Sequence, residues 1–139
     1  MNDFVYYTPT QVVFGRHSEE KLAELVSAAG AHKVLLHYGS GSVQRTGVLD
    51  RARQSLSEAG IAFVELGGVV PNPRLSLVRT GIELARTNQV DFIVALGGGS
   101  VIDSAKAIGY GVANEGTCGT FICVVVSPAP VCPLGWCLR

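Results

Sequence analysis

The stretch Phe92-Ile93-Val94-Ala95-Leu96-Gly97-Gly98-Gly99-Ser100-Val101-Ile102-Asp103-Ser104-Ala105-Lys106 decides the fold. Its unbroken apolar run, 92–96, reads as a strand buried on both faces, the pattern of parallel sheets. The glycines stop it, and 101–110 reads as a helix, so the stretch is the β–α half of a βαβ unit. Without Cβ atoms the triplet lets backbone come close to a ligand. The amides of Ser100, Val101 and Ile102 would point at that ligand, and the helix dipole favours an anion such as a phosphate or pyrophosphate. Taken alone, the stretch reads equally as a tight strand-to-helix turn with no ligand. Neither the Gly-x-Gly-x-x-Gly fingerprint nor a Walker sequence occurs. Asp103 and Lys106 are spaced either as a surface ion pair or, for Asp103, as a carboxylate for ligand hydroxyls or amides.

Working outward, the same alternation repeats. Residues 4–7 and 11–14 are β-prone runs around Thr8-Pro9-Thr10, an expected hairpin ended by Gly15. Ser18 is a candidate N-cap for a helix carrying Leu22, Leu25, Val26 and Ala29, stopped by Gly30. A strand at 33–37 runs into Tyr38-Gly39-Ser40-Gly41-Ser42. Residues 48–59 form a helix closed by Gly60, and 61–66 the next strand. The segment 67–73, with Pro71 and Pro73, reads as a loop because proline fixes φ and removes donors. Residues 75–88 are helical through Leu75, Val78, Ile82 and Ala85. The order predicts an α/β fold, a Rossmann-like parallel sheet with helices on both faces. Ligands of such sheets bind beyond the carboxyl ends of the strands, where the two Gly-rich loops and the Pro-Asn-Pro loop would open together.

Between Lys33 and Val48 no acidic residue is present to grip a ribose 2′-hydroxyl. Small hydroxyl residues and Arg45 suit a 2′-phosphate instead, although a Gly/Ser turn with a solvated arginine has the same composition. His17, His32 and His37 share no metal-ligand spacing and read as surface or strand-end residues.

Composition narrows the function classes. Of 139 residues, 47% are apolar and 16% charged, which excludes a disordered chain. Eleven basic residues balance eleven acidic ones, so no field draws the chain to nucleic acid or an anionic membrane. No apolar run approaches the ~20 residues of a bilayer span. Met1-Asn2-Asp3 begins no secretory signal, which makes a cytoplasmic location the expectation.

Val69-Val70-Pro71-Asn72-Pro73, followed by the segment Gly97 to Ile108, resembles the iron-containing (group III) alcohol dehydrogenases. Pro9-Thr10 through Phe14-Gly15 is similar to that family's N-terminal hairpin. Tyr38-Gly39-Ser40-Gly41-Ser42-Val43 with Thr46-Gly47 resembles its NADPH-linked butanol dehydrogenase and aldehyde reductase branch. The likeness runs from about residue 4 to Gly116. Glycerol dehydrogenases and dehydroquinate synthases share the triplet but fit the Pro-Asn-Pro loop less well.

The resemblance implies a dinucleotide-binding domain, 1–116, that takes NADP(H) in preference to NAD(H) for oxidoreduction of small alcohols and aldehydes. By position, Gly98, Gly99, Ser100, Val101 and Asp103 would meet the pyrophosphate and nearby groups, and Asn72 would touch the cofactor. Gly39, Ser40, Gly41, Ser42 and Arg45 would hold the adenosine ribose and its phosphate. It also implies Fe²⁺ or Zn²⁺ on one Asp and three His of a helical domain that these residues do not include. The segment is therefore expected to lack catalysis alone, or to act as a non-catalytic nucleotide-binding module. A homodimer is a further expectation, since the face that docks the helical domain is apolar.

The composition changes at the end. All four cysteines lie from Cys118 onward, and after Glu115 the one charged residue is Arg139. Cys118-x4-Cys123 and Cys132-x4-Cys137 stand at the upper limit of the usual zinc spacing, and a zinc site is not the expectation here. The family branch continues Asp-Val-Trp-Asp-Phe where this chain has Thr117-Cys118-Gly119-Thr120-Phe121. The codons GGG ACG TGT GGG ACT TTT for residues 116–121, read one nucleotide earlier, restore that sequence. The same shift applied to 135–139 restores Gly-Val-Val-Leu-Thr, so residues 117–139 are expected to be a frameshift product. The uncharged run 121–126 is expected to favour aggregation.

Overall fold

The structure, a computed structural model, describes residues 11–15, 17–39, 41–114 and 123–126, the last as backbone. Its strands are β1 (Lys33–Gly39), β2 (Ala62–Val69), β3 (Phe92–Leu96) and β4 (Cys123–Val126), and its helices α1 (Leu22–Ala28), α2 (Ser42–Arg45), α3 (Val48–Glu58), α4 (Leu75–Thr87) and α5 (Gly99–Ala113). The strands form one sheet in the order β2-β1-β3-β4, with every pair parallel. The expected α/β architecture is therefore present.

Strand periodicity explains the two layers. Val34 and Leu36 of β1 with Phe92, Val94 and Leu96 of β3 face α1 and α3 through Leu22, Val26, Leu49, Ala52 and Leu56. The alternate residues Leu35, Ile93 and Ala95 face α4 and α5 through Val78, Ala85, Ala105 and Ile108. All five β3 residues are buried, as an all-apolar strand between two layers requires. The helices of the second layer approach closely because Gly81 packs against Ile108 and Gly111 against Ile82.

Helix ends follow their backbone chemistry. Gly30 and Gly60 adopt left-handed φ values of 73° and 70°, and the following amides of Ala31 and Ile61 return to the carbonyls of Val26 and Leu56. At the end of α4 the left-handed position is taken by Gln89, φ 54°, with Val90 N donating to Ala85 O.

Several boundaries differ from the sequence reading. Ser18 is not an N-cap: it opens a 3-10 turn, Ser18–Lys21, preceded by His17 at φ 59°. The strand expected to stop at Leu66 continues through Gly67 and Gly68 to Val69. Its pairing with β1 shifts register between His37↔Leu66 and Gly39↔Val69, a bulge in which Gly68 takes φ 88°. The Tyr38 ring lies against Gly67 and leaves no room for a side chain there. Helix α5 starts two residues earlier than expected, at Gly99. Of the expected hairpin, 4–10 lie outside the described residues, and 11–14 have no strand pairing among those described. The run read as aggregation-prone contributes β4, whose β-branched residues pair with β3 inside the chain. Apart from 123–126, residues 117–139 lie outside the described residues.

Candidate functional site

Sheet order fixes where a ligand fits. From β1 the chain moves out to β2, then returns across β1 to β3 on the other side. Helices leaving β1 and β3 therefore lie on opposite faces, as the two core layers show. The crevice between their starts is the topological switch point, where open α/β sheets bind ligands. It brings together the loop after β1 (Gly41, Ser42, Arg45) and the loop after β3 (Gly97, Gly98, Gly99, Ser100).

The second loop is a cradle by its geometry. Gly98 caps α5 in extended conformation, and its carbonyl accepts from Val101 N at 3.0 Å and Ile102 N at 3.2 Å. Those two amides, expected to face a ligand, are committed to the helix. Gly99 and Ser100 have no backbone acceptor among the described residues, so the open donors sit one step earlier. Gly98 and Gly99 are exposed, and a Cβ on either would meet nothing within 4 Å. Gly97 is the packing member of the triplet. At φ 155° it lies under Val101, whose Cγ2 would stand 2.6 Å from an added Cβ. Val101 also reaches to 3.5 Å of the Cβ position of Gly39, which seats the start of α5 against the end of β1. The Val101 side chain is thus buried packing.

The first loop tightens into α2. Gly41 precedes it, Arg45 N donates to Gly41 O at 3.2 Å, and the Arg45 guanidinium folds back to 3.9 Å from the Cβ position of Gly41. Arg45 and Ser42 are exposed, and Arg45 has no ion-pair partner among the described residues. Ser40 lies outside the described residues. Asn72 is exposed on the loop after β2, with φ 60°. Asparagine tolerates this left-handed geometry better than other side-chain-bearing residues. Asp103 is exposed at the start of the second turn of α5, and the surface pair with Lys106 does not form among the described residues. That carboxylate is left facing solvent.

Two features escaped the sequence reading. An acidic residue does lie beside β1, but on the neighbouring strand: Glu65 of β2 pairs in register with Leu36 in mid-strand, and its carboxylate meets Tyr38 nearer the strand end. It is already engaged. Arg53 donates Nε to Oε1 at 2.8 Å and Nη2 to Oε2 at 2.7 Å, and Tyr38 OH donates to Oε2 at 3.1 Å. Arg53 holds the Glu65 carboxyl below its ordinary range, while burial and then Glu65 push the Tyr38 phenol up. The second feature is His37, expected as a surface or strand-end residue: it lies near the end of β1 and is fully buried. Its Nδ1 lies 2.8 Å from Leu66 O and its Nε2 2.8 Å from Ser104 Oγ. Burial pushes its pKa down, so the ring is neutral. Its position two residues after Leu35, on the α5 face, was the available signal.

Among the described residues no group of three His, Cys, Asp or Glu side chains could hold a metal ion. These residues do not fit an iron or zinc site. No helix among them is long and apolar enough to cross a membrane.

Comparisons with known proteins agree with this geometry. The family profile for iron-containing alcohol dehydrogenase matches residues 9–134. NADH-dependent butanol dehydrogenase A of Clostridium acetobutylicum is 47% identical over 116 residues, which are 84% of this chain and 30% of that protein. The NADPH-dependent aldehyde reductase YqhD of Escherichia coli is 40% identical over 108 residues, 78% of this chain and 27% of that one. The crystal structure of NADH-dependent butanol dehydrogenase A from Thermotoga maritima superposes with a TM-score of 0.79 at 46% identity, covering 84% of this chain and 29% of that chain. The chain thus spans about a third of the length of such relatives, their N-terminal part. It belongs to the iron-containing alcohol dehydrogenase family.

Proposed function

We propose that this chain binds a nicotinamide dinucleotide across the switch-point crevice and serves the oxidoreduction of a small alcohol or aldehyde. The observation that carries the reading is the open pair Gly98–Gly99 at the head of α5, facing the loop after β1. The Gly99 and Ser100 amides would receive the diphosphate, helped by the positive end of a 15-residue helix. Asp103 would accept from hydroxyl or amide groups on the cofactor, and Asn72 would close on it from the loop after β2. The cofactor supplies hydride exchange, while the protein supplies its binding, orientation and charge environment.

NADP(H) is favoured over NAD(H) in this reading. Arg45, beside the β1 loop, has no ion-pair partner among the described residues, and Glu65, the acid that lies alongside β1, is held by Arg53. Relatives of both preferences exist, named NADH-dependent and NADPH-dependent. A second reading is a nucleotide-binding module without turnover of its own, since the chain matches only about 30% of the length of NADH-dependent butanol dehydrogenase A. Titration of the chain with NADPH and NADH, followed by nucleotide fluorescence, tests binding. An aldehyde reduction assay with added Fe²⁺ or Zn²⁺ separates the two readings. If neither nucleotide binds, both readings fail.

A further inference from the structure

His37 and Ser104 come from elements far apart in sequence yet meet in the interior, just beneath the crevice. His37 stands two residues before Gly39 on β1; Ser104 stands slightly more than one helical turn after Ser100, or about 6 Å along the axis of α5. Both side chains are inaccessible to solvent, at 0% and 1% exposure. The hydrogen-bond directions follow from chemistry. Leu66 O can only accept, so Nδ1 carries the proton and donates to it across 2.8 Å. Nε2 is then bare, and the Ser104 hydroxyl must donate to it across 2.8 Å. One neutral imidazole therefore ties the backbone of β2 to the helix whose first turn forms the cradle. Around it the same layer is apolar, with Leu35, Ile93, Ala95, Val101, Ala105 and Ile108. Such packing excludes water and fixes distance, but it has no directional preference along the helix axis. The Ser104–His37 bond supplies one.

We propose that His37 is a positioning residue for cofactor binding: through the Ser104 hydroxyl it fixes the first turn of α5 over the carboxyl edge of β1. It thereby sets the gap between the two loops into which the diphosphate fits. The inference deepens the dinucleotide reading and rests on it.

The two ring nitrogens can be separated by substitution. His37→Gln places an acceptor near the Nε2 position and keeps the Ser104 bond. His37→Asn places a donor near Nδ1 and keeps only the bond to Leu66. Ser104→Ala removes the hydroxyl, and Ser104→Thr retains it. NADPH and NADH affinity of the full chain, thermal midpoint, and ligand-free amide hydrogen exchange across Gly99 to Ala105 are measured for each. The expected result is an affinity loss of about tenfold, the worth of one well-made buried hydrogen bond, and faster exchange in Ser104→Ala and His37→Asn. His37→Gln and Ser104→Thr stay within about threefold of the parent in affinity, whatever their midpoints. If all four variants instead lose affinity only in proportion to their loss of midpoint, or keep parent exchange rates, positioning by His37 is overturned. Ser104→Ala and Ser104→Thr carry the comparison if the His37 variants fail to fold. If exchange changes as expected while the parent binds neither nucleotide, the placement of α5 by His37 stands, and its role in cofactor binding fails together with the dinucleotide reading.

Discussion

Gly99→Asp is the sharpest test of the cradle, because it separates folding from binding. Gly99 is the first residue of α5, exposed, and a Cβ there meets nothing within 4 Å. An aspartate is therefore accommodated without a clash, and at the positive end of a helix it contributes about 0.3–1 kcal/mol of stability. Its charge sits where the diphosphate would lie. Two unit charges about 4 Å apart in an effective dielectric of about 20 repel by about 4 kcal/mol. Salt and rotation of the side chain toward water reduce this to about 2 kcal/mol, roughly thirtyfold in affinity. The assay pairs NADPH and NADH fluorescence titrations with a thermal melt. The variant is expected to melt at or above the parent temperature and to lose at least most of that factor in binding. Unchanged affinity would refute the cradle. A lowered melting temperature would refute the claim that Gly99 is left free by packing.

Arg45→Ala, at an exposed cation, is expected to weaken NADPH by about 1 kcal/mol, roughly fivefold, with little change for NADH; an unchanged ratio of the two Kd values would remove Arg45 from the 2′-phosphate. For His37, burial favours the neutral ring, so the folded chain takes up its proton at lower pH than the unfolded chain. Its contribution is complete above the ordinary histidine value near 6.5 and is lost as pH falls from there, at no more than about 1.4 kcal/mol per pH unit. Denaturant midpoints between pH 5 and 8 check this, and His37→Gln should flatten that part of the curve. Gln89→Gly relieves a left-handed residue at the end of α4 and is expected to stabilise by about 0.5–1 kcal/mol in urea unfolding. Gly81→Ala should do the opposite despite its better helix propensity, costing about 1–3 kcal/mol by forcing Ile108 and Leu66 apart.

The cradle was legible because its demands are local. A strand, three residues without side chains and a helix start lie in one short run, a pattern that fits close approach of a ligand to backbone and equally a tight strand-to-helix turn. The role of each amide was less legible: Val101 and Ile102 were read as open, and the difference depends on where the helix begins, a boundary that Gly98 sets by capping. The extension of β2 was hidden for the opposite reason. Gly67 and Gly68 next to Val69-Val70-Pro71 have loop composition, and the composition does not show that the Tyr38 ring of β1 lies against Gly67.

Glu65 and His37 show the same limit in chemical form. A search along 33–48 for an acid beside β1 finds none, yet parallel pairing delivers Glu65 from β2 and α3 delivers the Arg53 that neutralises it. His37 bonds to a serine 67 positions away, a pairing that no local period encodes. What sequence period does encode is the face: 35 and 37 lie on one side of β1, and that side meets α5. A polar residue on a face that must be buried requires a partner there, since an unsatisfied ring nitrogen in an apolar layer costs about 1–3 kcal/mol. Ser104 is the hydroxyl that α5 presents to it, and the same bond that satisfies the ring ties α5 to the strand beneath it.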